Sequence, residues 1–512
     1  PPRSTLFPYT TLFRSKRKMV FLPFPTEFKI SFELRSTDIM LASLYNSFNL
    51  SAFDSVCIEY RIGKAFALVY KIDGDEKSIK VLENKRNTSF TFFPNHKPMY
   101  YYYPARPAHL FEPLHVMLRT LVVPKAFKDK PEDYFAQWYH SFTQNTSTLD
   151  PHSKHIFDEL CLGISDSLEI TRTIFQFIRD KINYIGLFSG WDAFIPRDVN
   201  LVLSNRYGDC KNMAHLLCSA LRYKGIEAYY GITASSNFQV DMDFPGLSSG
   251  DHAICVARTG GLWYFLDATY KSDKSLVPSP FIQGRNVLVV NGKSAFYKKV
   301  PVLEPQNNTI VDSVELNFTQ TPFKINWLRT STGYNASVMN ELELAVTKQE
   351  QPAYLKWMFD LISKNLNFSE LSFYDGGTGT NKIKANGNIS ENILQNLPSG
   401  QKLLFTDFVM VPTMLESSNF KYEIRNQYCY RNEGYYRLLL PENWQPEKFV
   451  SDSFGNRFMH FSYSMASSGE NVVDLQVIFE LKELTIPVSD LNEFDDFSKK
   501  VFNILHHAIL LK

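Results

Sequence analysis

A chain of 512 residues, 44% of them hydrophobic, is long enough for two or three domains with real cores. Its 54 basic and 53 acidic residues leave a net charge of +1, which excludes the basic footprint of a nucleic-acid binder and the acidity of a disordered chain. No apolar run approaches the ~18–20 residues that span a bilayer, so no transmembrane segment is expected. The six cysteines, at 57, 161, 210, 218, 255 and 429, show neither paired metal-ligand spacing nor a disulfide framework, so no metal and no cofactor is expected.

Residues 1–15 begin without methionine, and Thr5-Leu6-Phe7 recurs as Thr11-Leu12-Phe13. The stretch reads as an artefactual leader on a truncated frame and is left out of the fold. Residues 16–130 are rich in aromatic and β-branched runs, such as the alternating 28–34 and the short run Cys57 to Tyr60. They predict an N-terminal β-rich, sandwich-like domain lacking its first strands. The tyrosines at 100–103, beside Pro104 and Pro107, read as an aromatic strand end, less commonly as a sugar-stacking platform. From Pro131 to Lys181 helical signals take over. Asp166 with Glu169 resembles a capping box, and Ile170, Ile174, Phe177 and Ile178 form one apolar stripe for the core.

Gly208-Asp209-Cys210-Lys211 then runs into a predicted helix that ends at Gly225, with Ala214, Leu217, Cys218 and Leu221 on one face. Asp209 is a good N-cap, which puts Cys210 in the first turn, where free amides and the helix dipole favour negative charge. That is the setting in which a thiol becomes a nucleophile near neutral pH. A lone cysteine is more often a small buried hydrophobe, and Cys218 is expected to be one. Two downstream residues reverse that reading for Cys210. His252 opens the apolar run Ala253-Ile254-Cys255-Val256-Ala257, and Leu262-Trp263-Tyr264-Phe265-Leu266 ends at Asp267, with turn chemistry between. A two-residue turn at Thr259-Gly260 would set His252 directly opposite Asp267. A turn at Gly260-Gly261 would make Asp267 the diagonal neighbour on the same face. Either way a carboxylate can fix the imidazole tautomer, so that the other ring nitrogen takes the cysteine proton.

The blocks Arg206-Tyr207-Gly208-Asp209-Cys210-Lys211-Asn212, Asp251-His252-Ala253-Ile254 and Trp263-Tyr264-Phe265-Leu266-Asp267-Ala268-Thr269 resemble the three signature blocks of the transglutaminase-like superfamily. Residues 174–184, Ile195-Pro196-Arg197 and 281–285 fit its bacterial multidomain members. The resemblance implies an α+β fold: a papain-like core within 131–300, flanked by N-terminal and C-terminal β-sandwich-like domains. It also implies roles for Cys210 as nucleophile, His252 as base and Asp267 as its orienter, and an exported or periplasmic location. Crosslinking members commonly have Gln and Trp beside the cysteine, where this chain has Asp209 and Lys211, which speaks against crosslinking. The Cys210 amide is one expected oxyanion donor. Tyr184 or Trp191 could supply a second, although an aromatic there is more often packing.

Past the proline-bearing 300–305 the chain turns β-rich again over 301–512, with a helical insert near 352–366. Gly376-Gly377-Thr378-Gly379 lacks the lysine and following helix of a phosphate-binding loop. Phe494, Phe497, Val501, Ile504, Leu505 and Ala508 mark an amphipathic terminal helix. Three functions compete. The first is cysteine-dependent acyl transfer on amide bonds of a protein or peptide, more toward hydrolysis than crosslinking. The second is a non-catalytic scaffold that works through its β-rich domains. The third is an arylamine-type acyltransferase. The loop at 235–250 is expected to shape the substrate groove.

Overall fold

The computed structural model of the chain describes residues 46–47, 55–74, 76–84, 87–93, 116–187, 190–238, 240–247, 249–271, 276–360, 362–375, 379–398, 400–409, 423–506 and 508–512. The leader at 1–15, the strand expected at 28–34, the tyrosines at 100–103 and most of the 376–379 turn lie outside these residues. The described residues up to Val300 form one compact unit, and those from Pro301 to Lys512 another.

The first unit begins with β1 (Val56–Arg61), β2 (Phe66–Gly74), β3 (Ile79–Glu83), β4 (Asn87–Phe92) and β5 (Val116–Pro124). β4 sits between β1 and β3 in one antiparallel sheet, and β2 pairs with β5 in another. Phe90 and Phe92 of β4 bury against Leu118 of β5, with Tyr60 and Tyr70 around them, so both sheets share one core. Each such large apolar side chain contributes about 1.5–3 kcal/mol on burial.

Three helices follow: α1 (Pro131–Thr143), α2 (Pro151–Leu160) and α3 (Ser167–Lys181). Their starts are chemically explicit. Proline occupies the first turn of α1 and α2, Asp150 accepts the Ser153 amide at 2.7 Å, and Asp166 accepts the Glu169 amide at 2.8 Å. The chain then forms β6 (Asn183–Tyr184), α4 (Val199–Asn205), β7 (Tyr207–Gly208) and α5 (Cys210–Tyr223). A five-stranded antiparallel sheet completes the unit: β8 (Glu227–Thr233), β9 (His252–Thr259), β10 (Leu262–Leu266), β11 (Asn286–Asn291) and β12 (Ser294–Lys299), in the order β10-β9-β8-β11-β12. α5 lies on this sheet, and Leu217, Cys218 and Leu221 share a cluster with Ala253, Cys255 and Ala257 of β9. Its burial exceeds the one apolar face that periodicity predicts, because every residue from Cys210 to Leu221 is buried. A helix enclosed on all sides is a core element rather than a surface one.

The second unit is built on an eight-stranded sheet. Its two middle strands are β13 (Thr309–Asn317) and a later strand, Tyr430–Leu439, which run parallel to each other, and β14 (Phe323–Thr332) pairs with β13 on its other side. The strict burial alternation along β14 sends Ile325, Trp327 and Arg329 into the core. The helical insert expected near 352–366 is observed as Gln351–Asp360, a further helix at Gly333–Ala345 is not expected from the sequence, and the amphipathic terminal helix is Leu491–Leu505. Phe494, Phe497, Val501, Ile504 and Leu505 dock on the sheet's core, whereas Ala508 has left the helix for a short strand, Ala508–Leu511.

Candidate active site

α5 begins at Cys210 because Asp209 stops the preceding extended segment and accepts the Asn212 amide at 3.3 Å. Cys210 therefore occupies the first helical position, where the backbone N–H has no partner within the helix. Gly208 fits only as glycine: a Cβ there would stand 2.7 Å from the Asn212 Cβ. Asn212 in turn accepts the Arg197 amide at 2.7 Å, and Arg197 grips Asp192 with two bonds at 3.1 and 2.7 Å. Asp209 is fully buried and forms an ion pair with the neighbouring Lys211, itself only 8% exposed. The two residues flanking the cysteine thus pair with each other.

The β9–β10 hairpin turns at Gly260-Gly261, with φ of 58° and 80°, and pairs Cys255 with Leu266 and Thr259 with Leu262. This is the second of the two registers that the sequence allows, because two successive left-handed positions suit a two-glycine turn. Asp267 accordingly sits one step past the last pair, diagonal to His252 and on the same face. The side chains meet: His252 Nε2 stands 3.0 Å from Asp267 Oδ2. The Cys210 thiol lies near enough to act on the charge of the same imidazole. With Nε2 committed to the carboxylate, Nδ1 is the nitrogen that can exchange a proton with the sulfur.

The electrostatics favour the imidazolium. Burial alone would lower the His252 pKa, but the Asp267 carboxylate and the Cys210 sulfur outweigh it and hold the value well above the ordinary one of 6.5. For Asp267 burial acts upward, yet the His252 charge and three further bonds bring it down to about 2. Those bonds come from the Thr269 amide at 3.1 Å, the Thr269 hydroxyl at 2.6 Å and the Ser279 hydroxyl at 2.7 Å. Sequence reasoning missed Thr269 and Ser279. Thr269 stands two residues on in an Asx-type turn and carried a readable signal, whereas Ser279 reaches the site from a separate loop and carried none.

The loop at 235–250 is held rather than loose. Asp251 accepts both the Ser235 amide and its hydroxyl at 2.7 Å, which closes the loop at its base beside His252. Midway, Asp241 accepts the Asn286 amide at 2.9 Å, and its carbonyl takes a bond from Arg119 at 2.9 Å. The fully buried Arg119 also pairs with Asp73 and Asp243, so β2 and β5 help to set the loop. Tyr184 is set beside Gly208 by the parallel pairing of β6 with β7 and is 46% exposed. Trp191 lies in a short turn of helix, Gly190–Ala193, and its side chain is outside the described residues. Cys218 is buried and shares a hydrogen bond with Cys255, whose thiol is pushed up by burial. Among the described residues no group of three His, Cys, Asp or Glu side chains is placed to hold a metal ion, and no helix is long and apolar enough to cross a membrane.

Comparison with known proteins agrees with this architecture. Residues 154–268 match the model of the transglutaminase-like superfamily. The fold is similar to a solved structure described as a candidate protease from Parabacteroides distasonis, with a TM-score of 0.52 at 12% identity over 90% of this chain and 75% of that one. A candidate cysteine protease from Cytophaga hutchinsonii also matches, with a TM-score of 0.21 at 14% identity over 42% of this chain and 74% of that one. A search of the curated proteins finds no match. The chain carries the α+β core of the transglutaminase-like superfamily, with β-rich regions on both sides of it.

Proposed function

We propose that the protein is a cysteine-dependent acyl-transfer enzyme acting on amide bonds of proteins or peptides, with Cys210 as nucleophile, His252 as acid–base and Asp267 as its orienter. The carrying observation is the imidazole of His252, held by Asp267 through Nε2 at 3.0 Å and near enough to Cys210 for the thiol to act on its charge. Cys210 attacks the carbonyl carbon and forms the S–C bond, and His252 holds the thiol proton as imidazolium. As the C–N bond breaks, that proton passes to the leaving amine. The amide of Cys210 faces the developing oxyanion at the helix start. A second acceptor then releases the acyl group, and water in that role makes the enzyme a hydrolase. The solved relative described as a candidate protease supports water over an amine.

The test is alkylation by iodoacetamide at neutral pH, followed by peptide mapping of the six cysteines. Cys210 should be the fast site, and His252→Ala should slow it by at least about tenfold. Cys218→Ala should leave the rate unchanged. Fast labelling at Cys218 with Cys210 inert would refute the assignment.

A further inference from the structure

The burial alternation that sends Ile325, Trp327 and Arg329 inward leaves Lys324, Asn326 and Leu328 exposed on the other face of the eight-stranded sheet. That face continues over β15 (Leu366–Asp375), β16 (Thr380–Ile389), β17 (Tyr430–Leu439), β18 (Met459–Gly469) and β19 (Val472–Leu481). A cavity of about 870 Å³ opens on it, within the ~300–1,000 Å³ typical of small-molecule sites.

Strand register arranges the lining in two rows that cross β16, β14, β13, β17, β19 and β18. One runs from Lys384 through Ser313 and Tyr435 to Ser464, and the other from Asn386 through Glu315 and Arg437 to Ala466. At ~4.8 Å between neighbouring strands, each row is about 24 Å long.

The chemistry of the rows selects among ligands. Lys384 and Arg437 balance Glu315 and Asp474, and Arg437 grips Asp474 with bonds at 2.9 and 3.1 Å. No net charge is left to attract a phosphate, a nucleic acid or an acidic chain. A protein partner prefers an apolar centre, whereas Ser313, Glu315, Tyr435 and Arg437 form the middle here. A peptide cannot add a strand, because the surface is a sheet face rather than an edge. What the rows offer is hydroxyls and amides that both donate and accept, on Ser313, Asn326, Asn386, Ser464 and Gln476.

Two exposed aromatic rings accompany these groups. Tyr435 is 43% exposed and tied along its own strand by a 2.6 Å bond to Glu433. Tyr374 of β15 is 59% exposed, with the Lys382 ammonium 5.8 Å from its ring centre. A sugar has both matching surfaces: an apolar C–H face to lie on a ring, and a rim of hydroxyls for the amides.

We propose that this sheet face is a binding site for a neutral oligosaccharide, which lies across the strands along the two rows with a sugar ring on Tyr435. The site is built from the second unit and is independent of the acyl-transfer reading.

The experiment titrates the full chain calorimetrically with a panel of neutral hexasaccharides: maltohexaose, cellohexaose, mannohexaose and chitohexaose. At least one should bind, with an affinity that salt does not change, since the ligand carries no charge to screen. Tyr435→Ala should weaken that binding by about tenfold, and Gln476→Ala should weaken it too. Trp357→Ala removes an exposed ring outside the rows and should have no effect. Failure of the whole panel to bind would overturn the proposal, as would binding that survives both Tyr435→Ala and Gln476→Ala. Self-association of the wild type that Tyr435→Ala abolishes would give the face to a second copy of the chain and overturn it as well.

Discussion

Asp267 shows how much of the site depends on one carboxylate. It is almost fully buried, and four bonds converge on its two oxygens. Its folded pKa of about 2 lies below the ordinary ~3.9, so it supports the fold above ~3.9 and loses that support as pH falls toward 2. The raised pKa of His252 has the opposite sign: its support is complete below ~6.5 and fades as pH rises through the folded value. Together they support the fold most strongly between those limits. Asp267→Asn should therefore lower the unfolding temperature most at about pH 5 and less at about pH 9. A calorimetric gap that widens with alkali would contradict the pairing. The same variant should slow acyl transfer by roughly 10²–10⁴-fold, because the imidazole loses its orienting partner.

Among the elements, the junction of β7 and α5 sets where Cys210 stands. Gly208→Ala would press a methyl against the Asn212 Cβ and shift the first turn, at a cost of about 1–3 kcal/mol. Denaturant unfolding should register that loss, and Cys210 alkylation should fall with it. Unchanged labelling would mean that the helix start tolerates the shift. Much of this junction was legible in the sequence, because caps, helix starts and hairpin parity are local. Asp209, Cys210, His252 and Asp267 could all be placed from neighbours within about a turn or a strand. The choice between registers was also local in principle, since Gly260 and Gly261 are the adjacent pair best suited to left-handed backbone. What could not be read was the closure of distant segments onto the site. Ser279 reaches Asp267 from a separate loop, and Arg119 reaches Asp241 and Asp243 across more than a hundred residues. Nor did periodicity foresee a polar helix face enclosed at Lys211, Asn212 and His215, where neighbours rather than sequence pattern exclude water.

The chain combines a transglutaminase-like core at 154–268 with β-rich regions on both sides of it. In the second unit Asp312 is buried and accepts Trp327 Nε1 at 2.7 Å and Arg329 Nε at 2.7 Å. Asp312→Ala would strand the Arg329 charge in the core and should cost about 3–5 kcal/mol. A thermal scan should show that loss, while Cys210 alkylation below the transition stays at the wild-type rate. Loss of labelling in the folded variant would tie the second unit to the chemistry.

The enclosure of α5 also bears on how such a protein can change. With no residue from Cys210 to Leu221 facing solvent, almost any substitution there is tested first by packing, and only afterwards by what it does for a substrate. New specificities are therefore more accessible through the exposed segment around Tyr184, since Val240, Met242 and Phe244 of the loop at 235–250 are themselves buried. A library diversified in that segment would retain folded members, and one diversified along the helix would mostly return unfolded chains. The enclosed helix fixes where Cys210 stands, and the exposed segments are where a history of substitution would be written.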